Sequence, residues 1–197
     1  MEYILSQKNN MLALIVIDQQ KGLDHPKLGA RNNPEAESEM LALLRLWRER
    51  SWPIVHVKHR SKQRESVFWP EQEGFEFKEE FKPQNAELVI EKSVPCAFTN
   101  NMLEGALKRL GVSEIVIVGA VTNNSVESTA RTGGNLGYTV YVVENSCFTF
   151  AKPDYYGKAR TADDVHAMSL ANLHGEYATV LSSSQLISEK KLMRAEQ

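Results

Sequence analysis

Six short apolar runs rich in β-branched residues constrain this chain more than anything else in it: Leu12–Ile17, Pro53–Val57, Leu88–Ile90, Ile115–Val118, Thr139–Val143 and Ala178–Leu181. Continuous apolar runs of this length are buried on both faces, as parallel strands are. Helical patterns fill the gaps between them. The clearest opens with Asn33 as N-cap and Pro34 at the first helical position, then sets Met40, Leu43, Leu44 and Trp47 on one face. Others run from about Asn101 to Leu110 before Gly111, from Asn124 to Leu136 before Gly137, and from Ala162 to His174 after Thr161. Strand and helix alternate, which predicts an open α/β sheet with helices on both faces.

The chain of 197 residues is 42% hydrophobic and 24% charged, enough for one globular domain, and we read residues 1–197 as a single domain. Lys and Arg total 23 against 25 Asp and Glu. A formal charge of −2 gives no broad attraction for nucleic acid or anionic lipid, so a small-molecule substrate is expected. Met1–Asn10 has no apolar core of signal-peptide type, and two cysteines, Cys96 and Cys147, make no disulfide framework. The apolar runs fall short of the roughly 20 residues of a membrane span. A cytoplasmic location is the expectation. The stretch from His59 to Ala86 breaks the alternation, and its Phe68, Trp69, Phe75, Phe77 and Phe81 suggest a long excursion that walls a site.

In such sheets ligands bind beyond the carboxyl ends of the strands, where strand order reverses. Asp18 ends the first run, Lys92 closes the third, and Ser125 follows the fourth. With the usual order 3-2-1-4-5-6, Asp18 and Ser125 face each other across the crevice. An acid, a lysine and a hydroxyl at a helix N-terminus suit acyl transfer: the carboxylate takes a proton, the ammonium supports it, and backbone N–H groups receive a developing oxyanion. Taken singly, each has an ordinary reading: Asp18 as a turn residue, Lys92 as a surface cation, Ser125 as a helix cap.

Three segments tie these positions together: Val-Ile-Asp-Gln-Gln at 16–20, Ile-Glu-Lys-Ser-Val-Pro-Cys-Ala-Phe at 90–98 and Gly-Ala-Val-Thr-Asn-Asn-Ser-Val-Glu-Ser-Thr-Ala-Arg at 119–131. In order and spacing they resemble the signature blocks of the isochorismatase-like cysteine hydrolases, over roughly Leu12 to Leu186. The resemblance implies a three-layer α/β/α Rossmann-like fold with a six-stranded parallel sheet. It implies an Asp-Lys-Cys triad whose first two members are Asp18 and Lys92. Where that family keeps its thiol this chain has Ser125, and Asn123 replaces the usual Asp. It also implies a non-proline cis peptide between Ala120 and Val121, with the amides of Val121 and Ser125 as an oxyanion hole. Family members are commonly dimers or tetramers, so a homo-oligomer is expected on the same ground.

A thiol near pKa 8.5 yields its proton to a carboxylate far more readily than an alcohol does. The serine fits a Cys-to-Ser replacement, a serine using Lys92 as base, catalysis without a nucleophile, or a protein that only binds. The first expectation is a hydrolase of a small amide, carbamoyl compound or ester. Gln20 orients the substrate or Asp18, and Trp69, Phe98 and Phe148 wall the pocket. The runner-up is isochorismatase-type cleavage of a vinyl ether with Asp18 as general acid, for which Arg31 and Arg131 join Lys92 as candidate carboxylate ligands. No cofactor is required. Nicotinamidases of the same superfamily carry an Asp-x-His metal motif that this chain lacks. His56 and His59, three apart on one strand, point to opposite faces, so no metal is expected. His166 and His174 read as packing or surface residues.

Overall fold

The computed structural model describes residues 12–84 and 87–190. The Met1–Asn10 segment and Ala86 lie outside them. Six strands form one parallel sheet: β1 (Leu12–Ile17), β2 (Ile54–His59), β3 (Leu88–Lys92), β4 (Glu114–Ala120), β5 (Thr139–Phe148) and β8 (Thr179–Leu181), in the order β3-β2-β1-β4-β5-β8. The last edge strand is eighth rather than sixth because a two-stranded ribbon, β6 (Lys152–Pro153) with β7 (Ala159–Arg160), intervenes. A pair of such short strands carries no apolar period, which is why the sequence pattern misses it.

Alternate residues of β1 feed two separate cores, making three layers. Ala13, Ile15 and Ile17 pack with Leu103 and Leu107 of α2 (Met102–Arg109), Ala130 of α3 (Glu127–Asn135) and Leu173 of α4 (Ala162–Leu173). Leu12, Leu14 and Val16 pack with Met40, Leu43, Leu44 and Trp47 of α1 (Ala36–Glu49) and Leu186 of α5 (Ser183–Glu189). The helix starts follow cap chemistry at Thr161 and Ser182, each closing a capping box on the residue three positions on. Asn33 does not cap α1, contrary to the sequence expectation. It sits at φ +44° and spends its amide on the carbonyls of Glu144 and Cys147 at 3.0 and 2.8 Å, so the helix opens later, at Ala36.

The excursion after β2 is ordered by burial of Phe75, Phe77 and Phe81, the last seated in the α1-side core. Lys78 anchors it with ion pairs to Asp24 and Glu37. At its far end Glu87 accepts from Arg48 Nε and Nη2 (2.7 and 3.0 Å) and from the Gln84 amide, and meets His56 Nε2 at 2.8 Å. Burial alone would raise its pKa, but the Arg48 hydrogen bonds and then the Gln84 amide and His56 outweigh it, bringing Glu87 down to about 2. A carboxylate depressed in the folded state stabilises above its unfolded value of 4.5 and loses that contribution as pH falls toward 2. Glu87→Gln is therefore expected to cost about 1–3 kcal/mol near neutrality. It should also flatten the fall in stability between pH 4.5 and 2 in urea titrations; an unchanged acid limb would refute the assignment.

Among the described residues no helix is long and apolar enough to cross a membrane.

Candidate active site

Parallel register brings the ends of β1, β2, β3 and β4 side by side, pairing Ile17 with Val57 and Gly119, and His59 with Lys92. From β3 the long Lys92 side chain reaches across β2 to the end of β1. Its Nζ donates to Asp18 Oδ2 at 2.7 Å and to Ser125 Oγ at 3.1 Å. The three residues expected beyond the strand ends thus meet on one ammonium, and all are buried, at 4%, 4% and 6% exposure for Asp18, Lys92 and Ser125.

Local backbone aims each group. Asp18 adopts a left-handed conformation, φ +55°, that Asp tolerates better than most residues, and its N–H is held by the Val57 carbonyl at 2.9 Å. Its Oδ1 is buried without a hydrogen-bond partner among the described residues. Ser125 lies in a π-helical turn, Thr122–Val126, entered through a cis peptide between Ala120 and Val121. The Val126 N–H returns to the Val121 carbonyl at 3.3 Å. One residue before that peptide, Gly119 stands at φ +124°, and a Cβ there would lie 2.2 Å from the Ile17 carbonyl oxygen. Only glycine lets β4 approach β1 this closely beside Asp18.

His59 is a site residue that sequence reasoning weighed only as a metal ligand. Its Nδ1 lies 3.4 Å from Lys92 Nζ, its ring meets Phe68 edge-on at 5.6 Å, and burial, then the Lys92 charge, lower its pKa against the opposing pull of Asp18. A neutral imidazole leaves Nδ1 able to accept from the ammonium, giving Lys92 a third acceptor. His56 turns instead to Glu87 and Phe77, so the two histidines share no centre. Among the described residues no group of three or more His, Cys, Asp or Glu side chains is placed to hold a metal ion.

Other expected site residues lie elsewhere. Gln20 is fully buried and its amide ties the β1 end to the excursion, donating to the carbonyls of Phe75 (2.8 Å) and His59 (3.1 Å) and accepting from the His59 N–H (2.7 Å). Both amide protons are spent, so Gln20 has no donor left for substrate or Asp18. Phe98 is buried in the α2–α3 core, stacked on Tyr138, and Phe148 is buried in the other core beneath the Arg31 guanidinium. Both face the layers because core burial outweighs display at a rim. Trp69 is half-buried on the excursion with Arg64 above its ring, and it is its neighbour Phe68 that touches the site. Cys147 is in the core, where burial pushes its thiol up to about 12. Cys96 donates to Thr132 Oγ1. A cavity of about 210 Å³ is lined by Arg60, Glu91, Lys92, Ser93, Val94, Thr99 and Asn100.

An isochorismatase domain model matches residues 12–185, through every strand of the sheet and all three residues on the ammonium. The chain belongs to the isochorismatase family. It is 39% identical over 177 residues to the isochorismatase family protein YrdC of Bacillus subtilis, spanning 90% of this chain and 95% of that one. A crystal structure of an isochorismatase-family protein from Chromobacterium violaceum superposes with a TM-score of 0.89 at 42% identity, covering 98% of this chain and 100% of the other. A shorter stretch of 74 residues is 36% identical to the ureidoacrylate amidohydrolase RutB of Acinetobacter baylyi, 38% of this chain and 30% of that protein. As an isochorismatase-family member the chain is a hydrolase.

Proposed function

We propose that this hydrolase cleaves a small amide, carbamoyl compound or ester through an acyl-enzyme on Ser125. The observation that carries the reading is the shared ammonium: Lys92 bonds Asp18 Oδ2 and Ser125 Oγ at once, in a buried site, while Asp18 Oδ1 has no hydrogen-bond partner among the described residues. Ser125 Oγ attacks the carbonyl carbon as Asp18 takes its proton, and the carbonyl electrons move onto oxygen, which the amides of Val121 and Ser125 receive. Lys92 lowers the cost of negative charge developing on Oγ. Collapse breaks the C–N or C–O bond, the leaving group takes the proton from Asp18, and water activated by the same carboxylate releases the acid. The partial likeness to an amidohydrolase supports C–N bonds as the target. The vinyl-ether alternative has less support, because the cations it needs are committed elsewhere: Arg31 to Glu37 and Phe148, Arg131 to Glu127 and Tyr177.

The test is hydrolysis of a panel of small amides, carbamoyl compounds and esters, with isochorismate as the competing substrate, by the protein and by Ser125→Cys. Because a thiol near pKa 8.5 is more readily ionised by a carboxylate, Ser125→Cys is expected to raise turnover of amides by about tenfold or more. Cleavage of isochorismate with all amides and esters left intact would reject the proposal.

A further inference from the structure

Beyond the three residues on the ammonium, α4 grips the turn that carries Ser125. Thr122, fully buried, opens that turn. Its Oγ1 lies 2.8 Å from His166 Nδ1, and its carbonyl accepts from Ser169 Oγ at 3.1 Å, so two α4 side chains hold both polar ends of one residue. The single Ser169 hydroxyl proton is shared between that carbonyl and Glu127 Oε2, 2.6 Å away at the start of α3. On its other edge His166 Nε2 lies 3.4 Å from Asn33 Nδ2, whose two protons already go to the carbonyls of Glu144 and Cys147, so Asn33 has none for the ring. With Nδ1 unprotonated the ring accepts the Thr122 hydroxyl. Burial lowers the His166 pKa against Asp163 and the Glu144 backbone, which favours a neutral ring.

We infer that His166 and Ser169 are positioning residues, whose grip on Thr122 sets where the Ser125 oxygen and the turn amides stand relative to Lys92 and Asp18. A surface or packing role would require neither bond. The geometric reason is that the turn is a π-type ring entered from β4 through Val121 and bonded by Lys92 at Ser125 and by Thr149 at Asn123, while His166 and Ser169 hold its first residue from the α4 side. Displacements near 1 Å at a reacting centre cost roughly 10²-fold in rate.

The inference rests on the acyl-enzyme reading, so its test includes a readout that needs no substrate. In Ser125→Cys, the pH profile of alkylation by iodoacetamide reports the surroundings of the atom at position 125. Adding His166→Ala is expected to shift that profile upward and slow alkylation at pH 7 by about tenfold. His166→Asn, whose carboxamide oxygen can still accept from Thr122, should restore most of it. In the serine protein His166→Ala is expected to lower kcat by about 10²-fold with KM within about twofold. Ser169→Ala, a smaller change to the core, provides the same comparison should His166→Ala fail to fold. An alkylation profile identical with and without the His166 or Ser169 change overturns the inference whatever the activity. A shifted profile in a protein that hydrolyses nothing on the panel supports the brace and rejects the acyl-enzyme instead.

Discussion

Asp18→Ala is expected to lose at least about 10³-fold in kcat/KM and, in the same variant, about 3 kcal/mol of stability. The first effect follows from removing the proton acceptor beside Ser125. The second follows from burial: Lys92 is 4% exposed, and its 2.7 Å partner is the carboxylate that compensates its charge. Neutral Ser125 and His59 remain as acceptors, which places the cost near the low end for a broken buried pair. Adding Lys92→Met should return most of the lost stability and none of the activity, because a neutral side chain of similar length needs no counter-ion. Urea melts of the single and double variants beside their kinetics separate the two effects. An Asp18→Ala protein as stable as the parent would mean that the pair is not held as described.

The largest purely structural effect is expected at Gly119. Gly119→Ala puts a methyl group within 2.2 Å of the Ile17 carbonyl, which is backbone and cannot swing aside, at a φ of +124° that residues with a Cβ rarely adopt. The variant is expected to lose at least about 3 kcal/mol, or to fail to accumulate as folded protein. By contrast, Gly137→Ala, at φ +88° but with no atom within 4 Å of its added Cβ, should cost only the strain of its backbone, about 1 kcal/mol. Thermal melts of the two, side by side, isolate the clash from the strain. Equal losses would show that β1 and β4 can part without cost.

How much of this was legible in the sequence depends on the range of the interaction involved. The strands were readable because their apolar runs answer to burial on both faces, and Leu12–Ile17 begins and ends where its pattern does. Asp18, Lys92 and Ser125 were readable as positions after strands, and register then delivers them to one place. The misses share one cause, that side-chain partners distant in sequence are not encoded in spacing. Gln20 sits two residues from Asp18, yet its amide goes to His59 and Phe75. Asn33 carries a helix-cap signature, and Glu144 and Cys147, more than a hundred residues on, compete successfully for it. Phe98, beyond β3, and Phe148, beyond the apolar run Thr139–Val143 and the last residue of β5, look like rim aromatics and are core instead. His59 had no local motif, only a polar ring at a strand end. His166 stood within the Asp-Val-His-Ala-Met-Ser-Leu-Ala-Asn-Leu stretch at 164–173, part of the family resemblance, but nothing in that stretch tells which partner its ring takes.

The central claim is that Ser125 receives the acyl group. It is tested most directly by intact-mass measurement during turnover of an ester from the panel, with the parent and Ser125→Ala side by side. The account predicts an adduct of acyl mass on the parent that maps to Ser125. It predicts that Ser125→Ala forms no adduct and loses at least about 10³-fold in rate. Turnover by Ser125→Ala within about threefold of the parent would contradict it and place the chemistry on Asp18 without a covalent step.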